Sequence, residues 1–408
     1  MIYLARRLYL YGIFLHVIAS NLCNVIQTFL LLDSVGLALG DHHSVILRRD
    51  GSVWSTDVSS RGGAPSRGVS KRFIRVIADD ATAAATGMGY SMALKQDGKV
   101  WAMGRNHRGQ LGDGTRIRKD KFHSVRFIPL VKAIAAGGYH ALVLTQDDSV
   151  LGTGCQKNGQ LGQGSFSYTT RFRRVVAFQA RAVAAGDLHS IVVKEDGSVW
   201  ATGRNSNGQL GDGSQTDRNG FVKVMDSGGV ADVAAGGYHS LVLKQDGSVW
   251  ATGWNEFGQL GDESTADRTN YARVVPSGAK AVAAGRRHTL MLKQDGNVWA
   301  TGYNHYGQLG SAWSGTSCVF LHVLSDGAKV VAAGAFHSMV LKEDGSIWAA
   351  GSNRYSQFGD GSTTSRKIFT RLSPFNGARY DIVVCMHGFF RFCFHYLLPF
   401  NGQNVLNS

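Results

Sequence analysis

Proline is nearly missing from this chain, with 5 residues among 408. That is roughly 1 % where about 5 % is usual. Cysteine is equally scarce: Cys23, Cys155, Cys318, Cys385 and Cys393 are scattered, odd in number and lack a CxxC pair. Such spacing speaks against a disulfide framework or a zinc site and fits buried free thiols in a reducing compartment. Charged residues reach only 18 %, and acids are the rarer sign, 29 against 43 Lys and Arg. The net charge of +14 admits nucleic acid, an acidic protein face or an anionic membrane as partner, without choosing among them. P-loop, HExxH and GxSxG motifs are absent, which removes the usual signs of nucleotide hydrolysis, zinc proteolysis and serine hydrolysis. The GDGS phrases lack the terminal Glu and regular oxygen ligands of a calcium loop, and their Asp and Ser read as turn caps. No metal or cofactor is expected, and the reading is non-enzymatic.

Glycine is abundant instead, with 52 residues, and 44 % of the chain is hydrophobic. Many Gly with few Pro describes tight turns between many short elements around a sizeable core, not a disordered or collagenous chain. At the start, Arg6-Arg7 precede Leu8 to Leu32, which contain no Asp, Glu, Lys or Arg. Residues 1–33 therefore read as an apolar extension, a candidate signal peptide or membrane anchor, diluted by Asn21, Asn24, Gln27 and Thr28.

A repeat organises the rest. The slot after each Asp-Gly turn holds Trp54, Trp101, Leu151, Trp200, Trp250, Trp299 and Trp348, at intervals of 47, 50, 49, 50, 49 and 49 residues. A preceding slot holds His43, His140, His189, His239, His288 and His337, with Tyr90-Ser91 in place of the missing His. GQLG phrases follow and end at Gly112, Gly162, Gly211, Gly261 and Gly310, with a weaker SQFG ending at Gly359. Asp-Gly between two apolar runs predicts a hairpin with both turn residues at positive φ. Four short strands in about fifty residues cannot bury both sheet faces alone, so the copies must stack. The expectation is all-β: a seven-bladed propeller of four-stranded blades over 34–385, followed by an aromatic-rich tail over 386–408. An eighth unit begins at Gly377 and decays, and a strand near Tyr380 to Cys385 is expected to close the ring against the first blade. The tryptophans should fill space between sheets. The histidines should bond backbone groups of neighbouring turns, and Leu111, Leu161, Leu210, Leu260 and Leu309 should be core.

The phrase AAGGYHSLVLKQDGSVWATGWNEFGQLGD, from Ala234 to Asp262, and its copies resemble the regulator of chromosome condensation repeat family over roughly Val35 to Leu372. The resemblance implies a seven-bladed propeller and three precedents: nucleotide exchange on the Ran GTPase coupled to chromatin binding, ultraviolet-B sensing, and a protein-interaction module. The exchange factor uses an inserted β-wedge, for which intervals of at most 50 residues leave little room. The photoreceptor uses tryptophans in GWRHT phrases, and Arg286 takes the Trp place in Gly285-Arg286-Arg287-His288-Thr289.

Differences between units say more about partners than identities do, because the scaffold does not demand them. Three basic runs stand out: Arg61, Arg67, Lys71, Arg72 and Arg75; Arg105, Arg108, Arg116, Arg118, Lys119 and Lys121; and Arg171, Arg173 and Arg174. In a ring, these early loops would form one positive sector that takes phosphates or an acidic protein patch with salt-sensitive affinity; otherwise they are a solvated basic surface. The expected function is a monomeric interaction scaffold, with chromatin or another acidic protein as partner and direct DNA contact open. The alternative is an exchange factor for a Ran-type small GTPase. Charge and resemblance favour nucleus or cytoplasm; residues 8–32 offer secretion or membrane attachment as the other address.

Overall fold

The structure is a computed structural model, and it describes residues 36–56, 71–164, 168–313, 315–372 and 382–383. The predicted 1–33 and 386–408 segments lie outside the described residues. The described residues form seven antiparallel sheets, each built on a four-stranded meander from one repeat: blades 1 to 7 span 36–77, 81–124, 131–176, 180–225, 230–275, 279–324 and 328–371, and a fifth strand joins the first sheet. The fold expectation is met.

Blade 6 shows how sequence sets each layer. Its strands are Ala279–Ala284, His288–Lys293, Val298–Gly302 and Ser317–Leu324. The first strand is alanine-rich, which lets seven inner strands crowd together. The second is apolar at successive positions, Leu290-Met291-Leu292, because neighbours cover both its faces. The fourth is mostly half-buried at the rim, with Val319 and His322 exposed. The five named leucines are fully buried, as expected.

The hairpins differ from the prediction. In blade 5, Gly247 takes φ 76°, while Asp246 is not among the residues at positive φ. Asp246 Oδ1 instead accepts the Ser248 amide at 2.8 Å, so Asp caps the turn and only the Gly needs the left-handed region. In blade 3, Asp148 takes the Gly place at φ 62°.

The histidines also correct an expectation. They bond side-chain hydroxyls on the next blade, not backbone groups. His43 Nε2 lies 2.9 Å from Ser91 Oγ, His140 2.8 Å from Ser190, His189 2.9 Å from Ser240, His239 3.0 Å from Thr289, and His288 2.9 Å from Ser338. His337 reaches Ser44 at 2.9 Å, so the last blade joins the first by the same link. Blade 2 lacks the His, and blade 3 lacks the hydroxyl, because Ala141 stands in the Ser slot. There the Tyr90 hydroxyl donates directly to the carbonyl of Gly137 at 3.0 Å. The ring of seven links is complete.

Other contacts at closure repeat the ordinary interface. The Gly361 amide donates to the Lys71 carbonyl at 2.7 Å, and the backbones of Arg72 and Asp360 form an isolated antiparallel β-bridge. The anticipated late strand is present as Ile382–Val383, pairing antiparallel with Ser44–Arg48 of blade 1. Blade 1's own inner strand has 4 residues where those of the other blades have 6.

Five of the six slot tryptophans pack against the buried core: Trp54, Trp101, Trp250, Trp299 and Trp348. They are half-buried, and a strand-two cation covers each slot ring, from 4.2 Å for Lys194 over Trp200 and Lys293 over Trp299 to 5.3 Å for Lys95 over Trp101. Cys155 is a buried free thiol, while Cys318 is half-buried.

Candidate interaction face

In blades 2 to 7, two loops emerge on the same face. One joins strands one and two; the other joins strands three and four. A backbone bond ties the pair together: Arg105 N–H to Gly89 O in blade 2, Arg204 to Leu188 in blade 4, Trp254 to Tyr238 in blade 5 and Tyr303 to Arg287 in blade 6, at 2.8–3.0 Å. Inside the larger loop one Asn makes the turn rigid. In blade 5, Asn255 Nδ2 donates to Asp262 at 2.9 Å, and its Oδ1 accepts the Leu260 amide at 3.0 Å. The second Gly of GQLG is held by close approach as well as by φ. A Cβ on Gly211 (φ 79°) would fall 2.5 Å from the Tyr271 ring of the next blade.

On this fixed frame the same two slots carry different chemistry around the ring. Blade 2 is basic. Arg105, Arg108 and Arg116 gather about His107, whose pKa is lowered first by burial and then by those three cations. Arg116 extends the patch to blade 3: its guanidinium lies 4.5 Å from the Tyr168 ring centre, and it donates to the Tyr168 hydroxyl at 2.9 Å.

Other predicted basic residues are less available. Arg118 pairs with Asp120 at 2.7 Å and Lys119 with Asp113 at 3.6 Å. Lys121 and Lys71 are exposed. Arg72 is exposed at the junction of blades 7 and 1. Arg171 sits at the blade 2–3 junction, 5.5 Å from the Phe127 ring. Arg75 and Arg174 are not brought to the loop face. Arg75 donates to the Ala78 carbonyl, and Arg174 pairs with Asp147 in a hairpin at the opposite end of the sheet, at 3.3 Å. Arg173 is exposed on the outer strand of blade 3. Arg61 and Arg67 lie outside the described residues.

Two groups went unread in the sequence. Near the axis, Asp41, Asp187 and Arg286 come together from blades 1, 4 and 6. Asp187 is 6 % exposed, with Arg286 Nε 3.2 Å from its carboxylate. Burial, and then Asp41, push the Asp187 pKa up to about 7 against the pull of Arg286. Farther out, blades 5 to 7 carry an aromatic arc. Ring centres are 5.6 Å apart for Tyr238–Trp254, 5.1 Å for Trp254–Phe257, 4.8 Å for Phe257–Tyr303 and 5.3 Å for Tyr306–Phe336. The available signal was the residue before each His and the residue after each VWATG, compared from unit to unit.

A closed ring of seven repeat-built blades, displaying unlike loops on one face, defines a seven-bladed repeat propeller. The chain belongs to the family of the RCC1-like domain, whose model matches residues 19–311, and residues 329–357 match the regulator of chromosome condensation (RCC1) repeat. No curated protein matches the sequence. Among solved structures, human WBSCR16 is similar at 25 % identity and TM-score 0.69, over 78 % of this chain and 88 % of that one. Prp20p of Saccharomyces cerevisiae shares the fold at 21 % identity and TM-score 0.70, over 85 % and 89 %. Yeast RCC1 (Prp20) bound to Kap60 does so at 23 % and 0.67, over 74 % and 78 %. No helix among the described residues is long and apolar enough to cross a membrane.

Proposed function

We propose that the chain is a non-enzymatic protein-interaction scaffold whose loop face takes an acidic partner, chromatin being the leading case, through the basic sector of blade 2. The observation that carries this reading is the gathering of Arg105, Arg108 and Arg116 around His107. None of the three pairs with a carboxylate among the described residues, whereas Arg218 and Arg268 at comparable loops do so with Asp212 and Asp262. Arginines without an internal carboxylate keep donors for a partner's carboxylates or phosphates, and Arg116 spends part of its fork on the His107 carbonyl and the Tyr168 hydroxyl. Prp20p has binding properties towards Gsp1p and histones, which supports a protein partner of either kind here. The domain reading remains 34–385 as a monomeric propeller, with 1–33 and 386–408 outside it and a nuclear or cytoplasmic address. Comparing a tagged full chain with one lacking residues 1–33 tests that address against secretion or anchoring.

The test is binding to reconstituted nucleosomes from about 50 to about 300 mM salt. Affinity should fall steeply with salt, and the Arg105→Glu, Arg108→Glu, Arg116→Glu triple variant should bind at least about tenfold more weakly. Salt-independent affinity, or an unaffected triple variant, rejects the reading. The second reading is nucleotide exchange on a Ran-type GTPase, favoured by the fold likeness to Prp20p, a protein studied with Gsp1p. Mixing the chain with such a GTPase carrying fluorescent GDP separates the two: catalytic acceleration of release would displace the scaffold-only reading.

A further inference from the structure

We propose that the aromatic arc of blades 5 to 7 is a second docking site, for an apolar protein segment that carries a carboxylate. The scaffold does not require these rings. The slots filled by Tyr238 and Trp254 in blade 5 hold Gly89 and Arg105 in blade 2, and Leu188 and Arg204 in blade 4, with the same strand-two to strand-three register. Trp254, Phe257, Tyr303 and Tyr306 stay half-buried after packing on one another, so part of each ring still faces water. Half-exposed Trp, Tyr and Arg are the residue types on which protein-binding energy concentrates.

Arg287 supplies the polar part. Its guanidinium lies 5.3 Å from the Trp254 ring centre, 5.2 Å from Phe257 and 5.7 Å from Tyr303. Its neighbour Arg286 has Asp187, but Arg287 has no carboxylate partner among the described residues; its Nε is buried without a hydrogen bond, which leaves the terminal Nη groups to meet a ligand. A guanidinium surrounded by aromatic rings keeps its terminal N–H groups for a bidentate acceptor. A carboxylate beside apolar side chains satisfies both halves of the site.

Single-stranded nucleic acid fits less well. Trp254 and Phe257 meet at 79° and Phe257 and Tyr303 at 62°, so the rings present edges to each other and not a series of parallel faces for successive bases. The arc and the blade 2 sector are different sites, and the outcome below is read without nucleosomes.

The test is selection of a displayed library of random twelve-residue peptides on the full chain. Enriched peptides should pair Asp or Glu with Phe, Leu or Trp within a few positions. Their affinity should fall at least about tenfold in Arg287→Gln and in Trp254→Ala, while Glu343→Ala on the opposite face leaves it unchanged. Melting curves matching the parent show that the variants are folded, and Arg287→Lys should restore only part of the binding, since an ammonium cannot form the fork. Enrichment of basic peptides, absence of enrichment, tighter binding of oligouridine than of any peptide, or masking of the arc by self-association in sedimentation would each overturn the proposal.

Discussion

Acid should loosen the ring well before it protonates ordinary carboxylates. The Ser190, Ser240, Thr289 and Ser338 hydroxyls each donate to a Gln backbone carbonyl of the preceding blade, at 2.6–2.7 Å. Each hydroxyl has one proton and has committed it, so its histidine partner, His140, His189, His239 or His288 in turn, must be the donor across the blade junction and carry its hydrogen on Nε2. The Nδ1 atoms of His189, His239, His288 and His337 are buried without a hydrogen-bond partner. A proton added there would have neither water nor an acceptor. Burial accordingly lowers the pKa of His189 to about 4, and of His239, His288 and His337 to about 3.

The sign follows from linkage. In the unfolded chain these histidines titrate near 6.5, so below that pH the unfolded state binds protons that the folded state refuses. Stability is complete above pH 6.5 and is lost as pH falls towards the folded values. From pH 7.5 to 5.5 each histidine costs a little over ~1 kcal/mol, and the four together about 5 kcal/mol. Asp187 works the other way: its raised folded pKa makes the folded state the proton binder, returning about 2 kcal/mol over the same interval. A net loss of about 3 kcal/mol is a large share of a typical folding free energy of 5–15 kcal/mol. The assay is guanidinium unfolding followed by tryptophan fluorescence at pH 7.5, 6.5 and 5.5. His239→Gln should be weaker at pH 7.5, yet lose about 1 kcal/mol less than the parent between pH 7.5 and 5.5. A midpoint that is flat or rises on acidification, or an unchanged pH dependence in His239→Gln, would refute the buried neutral ring.

Three further outcomes follow from particular contacts. Tyr90→His alone places an imidazole opposite Ala141, with no hydroxyl to receive it, and should destabilise. Adding Ala141→Ser should recover about 1 kcal/mol or more as a double-mutant coupling in denaturant unfolding, and additivity would sink the pairing. Gly236→Ala would put a Cβ 2.4 Å from His239 Cε1 and 2.5 Å from the Gly285 carbonyl, so it should lower stability by about 1–3 kcal/mol, while Gly220→Ala, with nothing within 4 Å, should be silent in the same melt. Asn255→Ala leaves the buried Leu260 amide without its acceptor and should cost about 1–3 kcal/mol by thermal unfolding.

Blade number, strand order and the leucine core were legible because their residues recur with the period. Recurrence marks what every blade needs, and a fifty-residue interval transfers a reading from one unit to the next. The histidine slot was visible on the same grounds, but its partner was not: Ser190 lies 50 positions from His140, and only the ring brings them together. The loss of His at Tyr90 and of Ser at Ala141 is a compensating pair that the same comparison would have exposed. The basic runs were legible as residues but not as a surface. They were grouped by adjacency in the chain, whereas Arg171, Arg173 and Arg174 lie on or near one strand, where successive side chains point apart, and Arg174 runs to the other end of the sheet. The aromatic arc and the Asp41–Asp187–Arg286 cluster are the converse, local in space and dispersed in sequence, with contributions from separate blades. In a ring built from copies, structural residues therefore obey the period and partner-binding residues break it at fixed slots. Reading the chain slot by slot around the ring, instead of run by run along it, places Arg105 and Trp254 in the same position and makes their difference the signal.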